Sequence, residues 1–93
     1  MKGFNEQIAA ATPETIQLGR LVPFSRIRIT NQTGAVLYVL VDAPATATPS
    51  ATNAHFTIPN AAGITFEFDN TSQVMGNIRV VSAVQGYVHF IAW

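Results

Sequence analysis

The sequence predicts an all-β protein, an antiparallel β-sandwich of about seven strands, of jelly-roll or immunoglobulin-like type, with an N-terminal arm. Three observations predict it. Apolar and polar residues alternate in short runs, as in RIRIT (26–30) and ITFEF (64–68), the period of a strand with one buried face. Gly, Asn and Pro fall between these runs where turns are needed. No stretch has the apolar spacing of an amphipathic helix.

Taken in order, residues 1–13 keep no sustained period, and Pro13 would halt any short helix over 7–11. They read as an arm outside a single domain at 14–93, with Phe4 and Ile8 as anchors on a neighbouring molecule. Deleting the arm is then expected to weaken attachment and leave the domain folded. Residues 14–18 alternate Thr15 and Gln17 with Ile16 and Leu18, a short strand with the apolar pair inward. Gly19 closes it, and Pro23, which has no N–H to donate, marks a sheet edge or the start of a strand.

The densest β signal is 24–42, FSRIRITNQTGAVLYVLVD. Asn31 and Gly34 suit a type I turn with a glycine bulge, which predicts a hairpin of strands 24–31 and 35–42. In that register Ile29 lies opposite Leu37, Ile27 opposite Val39 and Ser25 opposite Val41, an almost wholly apolar face. The other face sets Arg26, Arg28 and Thr30 against Leu40, Tyr38 and Val36. A one-residue slip would mix the two sets.

Residues 43–53, APATATPSATN, hold two prolines and no large apolar side chain, and read as an exposed loop. Alternation resumes at 55–58, with Phe56 and Ile58 inward, and again at 64–69, where Ile64, Phe66 and Phe68 alternate with Thr65, Glu67 and Asp69. A loop over 70–76 follows. Strands 77–84 and 87–92 then flank a turn at Gln85 and Gly86. With a bulged type I turn, Ile78, Val80, Ser82, Val88, Phe90 and Ala92 face the core, leaving Arg79, Val81, Tyr87, His89, Ile91 and Trp93 outside. A two-residue Gln-Gly turn would instead bring His89 and Trp93 inward.

Composition narrows the function. A chain of 93 residues is one domain, able to bury about 64% of the surface its unfolded form exposes. Only 11% of residues are charged, against about 25% in an average protein, while 48% are hydrophobic. Five basic residues balance five acidic ones, so no net field gathers nucleic acid or an anionic membrane. A near-neutral, weakly charged surface favours association, so a homo-oligomer is expected. The absence of cysteine leaves no disulfide framework. MKGFNEQIAAATPE has no apolar run long enough for a signal peptide or a membrane span. Sequons at Asn31 and Asn70 read as chance matches in a chain rich in Asn, Thr and Ser.

No catalytic motif emerges. His55 and His89 lack metal-ligand spacing, Ser25, Ser82, His89, Asp42 and Asp69 have no nucleophile elbow, Glu67 and Asp69 read as solvated strand carboxylates, and no glycine-rich phosphate loop is present. The protein is therefore not expected to be an enzyme or to bind a cofactor or metal. What remains is Arg26 and Arg28 near Tyr38 and Leu40, and Arg79 near Tyr87, His89 and Trp93, a composition enriched at interfaces. These outer faces could also be inner faces of larger sheets with arginines reaching the rim, or a sugar-binding aromatic platform.

RIRITNQTGAVLYVLV, the Ala/Thr loop after it, FTIPNAAGITFEF and GNIRVVSAVQGYVHFIAW together resemble small accessory structural proteins of tailed bacteriophage virions, the head decoration or cement proteins. The resemblance spans about 24–93, is one of pattern and composition, and assigns no site residues. It implies a non-catalytic β-domain located in the virion, bound in many copies to the major capsid protein or another virion protein and stabilising the capsid. The alternative is a carbohydrate-binding β-sandwich of a tail fibre or secreted protein, with Tyr38 or Tyr87 and Trp93 as stacking surfaces.

Overall fold

In a computed structural model, residues 2–18, 26–67 and 77–93 are described. Gly19, Pro23, the strand positions Phe24 and Ser25, Phe68, Asp69 and the loop 70–76 with its sequon at Asn70 lie outside them. Among the described residues eight strands form, all but the first where the alternating runs occur: β1 (Lys2–Ile8), β2 (Glu14–Gln17), β3 (Arg26–Gln32), β4 (Leu37–Val41), β5 (Phe56–Ile58), β6 (Gly63–Glu67), β7 (Asn77–Ser82) and β8 (Gly86–Ala92). They make two four-stranded antiparallel sheets, with no helix among the described residues. Sheet A has the order β1-β8-β3-β6 and sheet B the order β2-β7-β4-β5. The two share one core in a sandwich-like arrangement.

The pairing is nested. β1 pairs with β8, β2 with β7, β3 with β6 and β4 with β5, so the chain is one long antiparallel ribbon doubled back at the loop between β4 and β5. Rolling the ribbon brings β3 against β8 and β4 against β7, and these contacts complete the sheets.

Both expected hairpins are therefore corrected. β3 and β4 lie in different sheets, as do β7 and β8. The inward set is nevertheless the expected one: Ile27, Ile29, Leu37, Val39, Ile78, Val80, Ser82, Val88, Phe90 and Ala92 are all buried, and half-buried Val41 packs against them. A turn that crosses between two facing sheets keeps the same side chains inward as a hairpin would; only the hydrogen-bond partners change.

What allows the crossing is Asn31, which is 0% exposed. Its Nδ2 donates to Ala35 O at 2.7 Å and to Ile58 O at 2.9 Å, while its Oδ1 accepts from Thr33 N at 3.0 Å and Thr33 Oγ1 at 2.7 Å. Ser82 Oγ donates to Thr33 Oγ1 at 3.0 Å, which ties in the end of β7. The amide thus satisfies carbonyls that a hairpin ladder would have paired. Gly34 takes the expected left-handed conformation, with φ of 97°. Gly86 is required for another reason than the expected bulge: a Cβ there would stand 2.4 Å from Thr33 Cα, so the two crossing turns nest through it.

The expected arm is also corrected. Residues 2–8 form an integral strand, pairing along its whole length with β8. Phe4 stacks on Phe90 with centroids 4.7 Å apart and an interplanar angle of 16°, and Ile8 is 0% exposed in the core. The period is hard to see because Lys2 and Glu6 share the inner side with Phe4 and Ile8. Deleting this segment would strip the core of Ile8 and leave β8 as a sheet edge.

Replacing Asn31 by Ala removes a donor from Ala35 O and from Ile58 O and the acceptor of Thr33 N, while Thr33 Oγ1 still donates to Ala35 O at 2.9 Å, so a loss of about 2–3 kcal/mol is expected. In thermal unfolding this is a fall in Tm of about 10–20 °C. A change below about 3 °C would show that water replaces the amide at no cost.

Candidate functional site

Strand parity assigns each outward side chain to one of two faces. On sheet A the register places Gln7, Tyr87 and Gln32 in one row, Asn5, His89 and Thr30 in the next, then Gly3, Ile91, Arg28 and Thr65. Trp93 continues the β8 column beside Arg26, the two exchanging backbone hydrogen bonds at 2.9 and 3.0 Å, and Arg26 faces Glu67 on β6. On sheet B the outward residues include Thr15, Arg79, Val81, Tyr38, Leu40 and Thr57.

The crossing of the chain exchanges the expected neighbours. Arg26 and Arg28 stand with Tyr87, His89 and Trp93 on sheet A, whereas Tyr38 and Leu40 stand with Arg79 on sheet B. Hairpin pairing had put each group with the other's partner. The central strand β8 presents a column of Tyr87, His89, Ile91 and Trp93 in which Tyr87 is 48% exposed and Ile91 and Trp93 are each 41% exposed. Ile91 belongs to the site by parity alone, since it has the outward phase of Tyr87 and Trp93.

The sheet B face is covered over Leu40 and Arg79, while Thr15 and Thr57 stay exposed. The segment 43–53, expected to stand free, folds back across part of it: Pro49 is buried, Arg79 Nε donates to Ala47 O at 3.0 Å, and Arg79 Nη1 donates to Thr15 Oγ1 at 2.8 Å. The segment is also braced internally, with Asn53 Nδ2 donating to Thr48 O at 2.9 Å and Ser50 N to Asn53 Oδ1 at 2.7 Å. Leu40 is consequently 6% exposed and Arg79 9%. Neither is available to a partner, which corrects two of the expected interface residues; Phe4 and Ile8, both packed inward, correct two more. Tyr38 is half-buried and lines a shallow groove of about 300 Å³ with Ala11, Pro49, Ala51, Val81 and Ala83.

The residues weighed for chemistry do not converge. Ser82 is buried on the inner side of β7, His89 faces outward from sheet A, and His55 accepts from Val41 N at 2.9 Å beside sheet B. Glu67 is paired with Arg26 at 2.9 Å. Ser25 and Asp69 lie outside the described residues. Among the described residues no three His, Asp or Glu side chains come together. The Asn31 sequon is closed in the folded protein, because its amide nitrogen is buried and already donates twice.

No protein family, characterised protein or solved structure matches the chain.

Arg79 is the clasp of the 43–54 segment, and its replacement by Ala should release it. Limited proteolysis with a broad-specificity protease is expected to cut within 43–54 at least tenfold faster in Arg79→Ala than in the parent, the cut located by intact mass. Equal rates would show that the buried Pro49 and the internal bonds hold the segment without the guanidinium.

Proposed function

We propose that this chain is a non-catalytic virion structural protein that binds and stabilises a bacteriophage capsid through the outer face of sheet A, and that its eight strands form a jelly roll. The nested pairing supports the second part, since a doubled ribbon rolled into two sheets of four is how a jelly roll is wound, an architecture used by viral capsid and lectin domains. The first part is carried by one observation: an exposed apolar column on sheet A, while the opposite face is partly covered by the chain's own loop.

Size shapes the mechanism. Four strands spaced about 4.8 Å apart and about seven residues long give a face of roughly 440 Å². A stable one-to-one interface takes roughly 800 Å² from each partner. One such face binds weakly alone, and many copies on a repeating shell, or an oligomer engaging several sites, bind by avidity.

A carbohydrate-binding role in a tail fibre or secreted protein is the second reading. Exposed Tyr87 and Trp93 favour it, lying about 20 Å apart along β8 with amide side chains on the flanking strands.

Trp93 sits on the proposed face and is the sole tryptophan, so its fluorescence separates the two. Capsid shells lacking the protein are expected to shift the emission and to sediment with it. The double variant Tyr87→Thr/Ile91→Thr, which keeps β propensity and removes apolar area, should bind at least tenfold more weakly with a Tm within about 5 °C of the parent. Undiminished shell binding by that variant would overturn the assignment of the face. A shift with oligosaccharides and none with shells would favour the sugar reading.

A further inference from the structure

We propose that Arg28 is a preset contact for a carboxylate on the protein partner of sheet A, so that the partner presents an acidic side chain beside its apolar contacts. The inference rests on the reading of this face as the interface. It starts from Gly63, on β6. A Cβ at that position would lie 2.8 Å from Arg28 Nη2 and 2.9 Å from Cζ, so the guanidinium of Arg28 occupies the space that a side chain at 63 would fill. Thr65 Oγ1 accepts from Arg28 Nη1 at 3.1 Å and holds the group across β6.

Among the described residues this is a neutral acceptor, and no carboxylate reaches Arg28. Its neighbour Arg26, with the same outward phase, is neutralised by Glu67 at 2.9 Å. The face therefore carries one uncompensated guanidinium, exposed and already immobilised. A fixed planar fork of donors matches a carboxylate, and holding it in place beforehand lowers the ordering cost of binding. The apolar column of β8 lies two strands from β6, about 10 Å away. The complementary surface has an acidic side chain about that distance from apolar ones. A polyanion fits less well, because a single guanidinium without a carboxylate partner among the described residues, on a chain of zero net charge, supplies no extended positive field.

The test uses capped peptides Ac-Phe-Gly-Gly-Asp-NH2 and Ac-Phe-Gly-Gly-Asn-NH2, titrated into the ¹⁵N-labelled protein at matched ionic strength, with inorganic phosphate as a third arm. The acidic peptide should shift the Arg28 Nε–H and the Trp93 indole N–H together and bind at least fivefold more tightly than the amide peptide. Arg28→Gln and Gly63→Ala, each with a parent-like melting curve, should abolish the difference. Three results would overturn the proposal: equal affinity for the two peptides, no binding of either up to its solubility limit, or a response to phosphate as strong as to the acidic peptide. On capsid shells, Arg28→Gln binding within twofold of the parent while Tyr87→Thr/Ile91→Thr loses it would overturn the carboxylate contact and leave the face standing. Parent-like shell binding by the double variant would instead remove the face itself.

Discussion

The architecture depends on a side-chain amide buried at one end of the sandwich. Where β3 leaves sheet A for sheet B, the backbone turns around the buried Asn31 and Thr33, and the polar groups facing that corner need partners. Asn31 supplies two donors and one acceptor at that point, joining the turn after β3, the end of β5 and, through Thr33 and Ser82, the end of β7. An apolar residue there would fill the space but take a donor from Ala35 O and from Ile58 O and the acceptor from Thr33 N. With the corner satisfied, β3 can pair with β8 and β6, and β4 with β7 and β5, so these strands are central in their sheets.

From this crossing follows the division of the surface. Because consecutive strands other than β4 and β5 go to opposite sheets, side chains close in sequence end on opposite sides of the molecule. Arg26 and Arg28 join the C-terminal aromatics on sheet A, and Tyr38 and Leu40 join Arg79 on sheet B. The loop joining β4 and β5, at the fold of the ribbon, packs over sheet B and encloses Arg79, which satisfies a backbone carbonyl and a threonine hydroxyl with its donors. Sheet A keeps its outer face open. A protein with so few charges then has one open face that carries an apolar column among polar residues, and one partly occupied by its own chain.

Much of the fold was legible in local pattern, and the failures have identifiable causes. Ile16, Leu18, Ile27, Ile29, Leu37, Val39, Ile58, Ile78, Val80, Val88 and Phe90 were all readable as inward from alternation, and all are buried. β1 was not, because Lys2 and Glu6 occupy inner positions at the sheet's margin and break the apolar rhythm. The loop 43–53 was read as free because it has no large apolar residue. Its hold on the domain comes from one proline and from an arginine on another strand, a contact that composition does not record. Of the candidate site, Arg26, Arg28, Tyr87, His89 and Trp93 were named from residue type, but their assembly on one face was not legible, since it depends on β3 pairing with β8 across more than fifty residues of chain.

The sequence by itself determined which side chains face the core, where the chain turns, and that Gly34 must take a left-handed conformation. These are local properties, set by alternation and by what each residue's backbone tolerates. Only the tertiary structure decided which strands share a sheet, which outer face is partly covered and which is open, and that position 86 is a glycine because the Thr33 backbone lies against it. The physical reason is one of symmetry: inward and outward phases are the same whether a neighbouring strand lies beside its predecessor or across the core from it. The choice between the two is made by hydrogen bonds and packing among residues far apart in the chain.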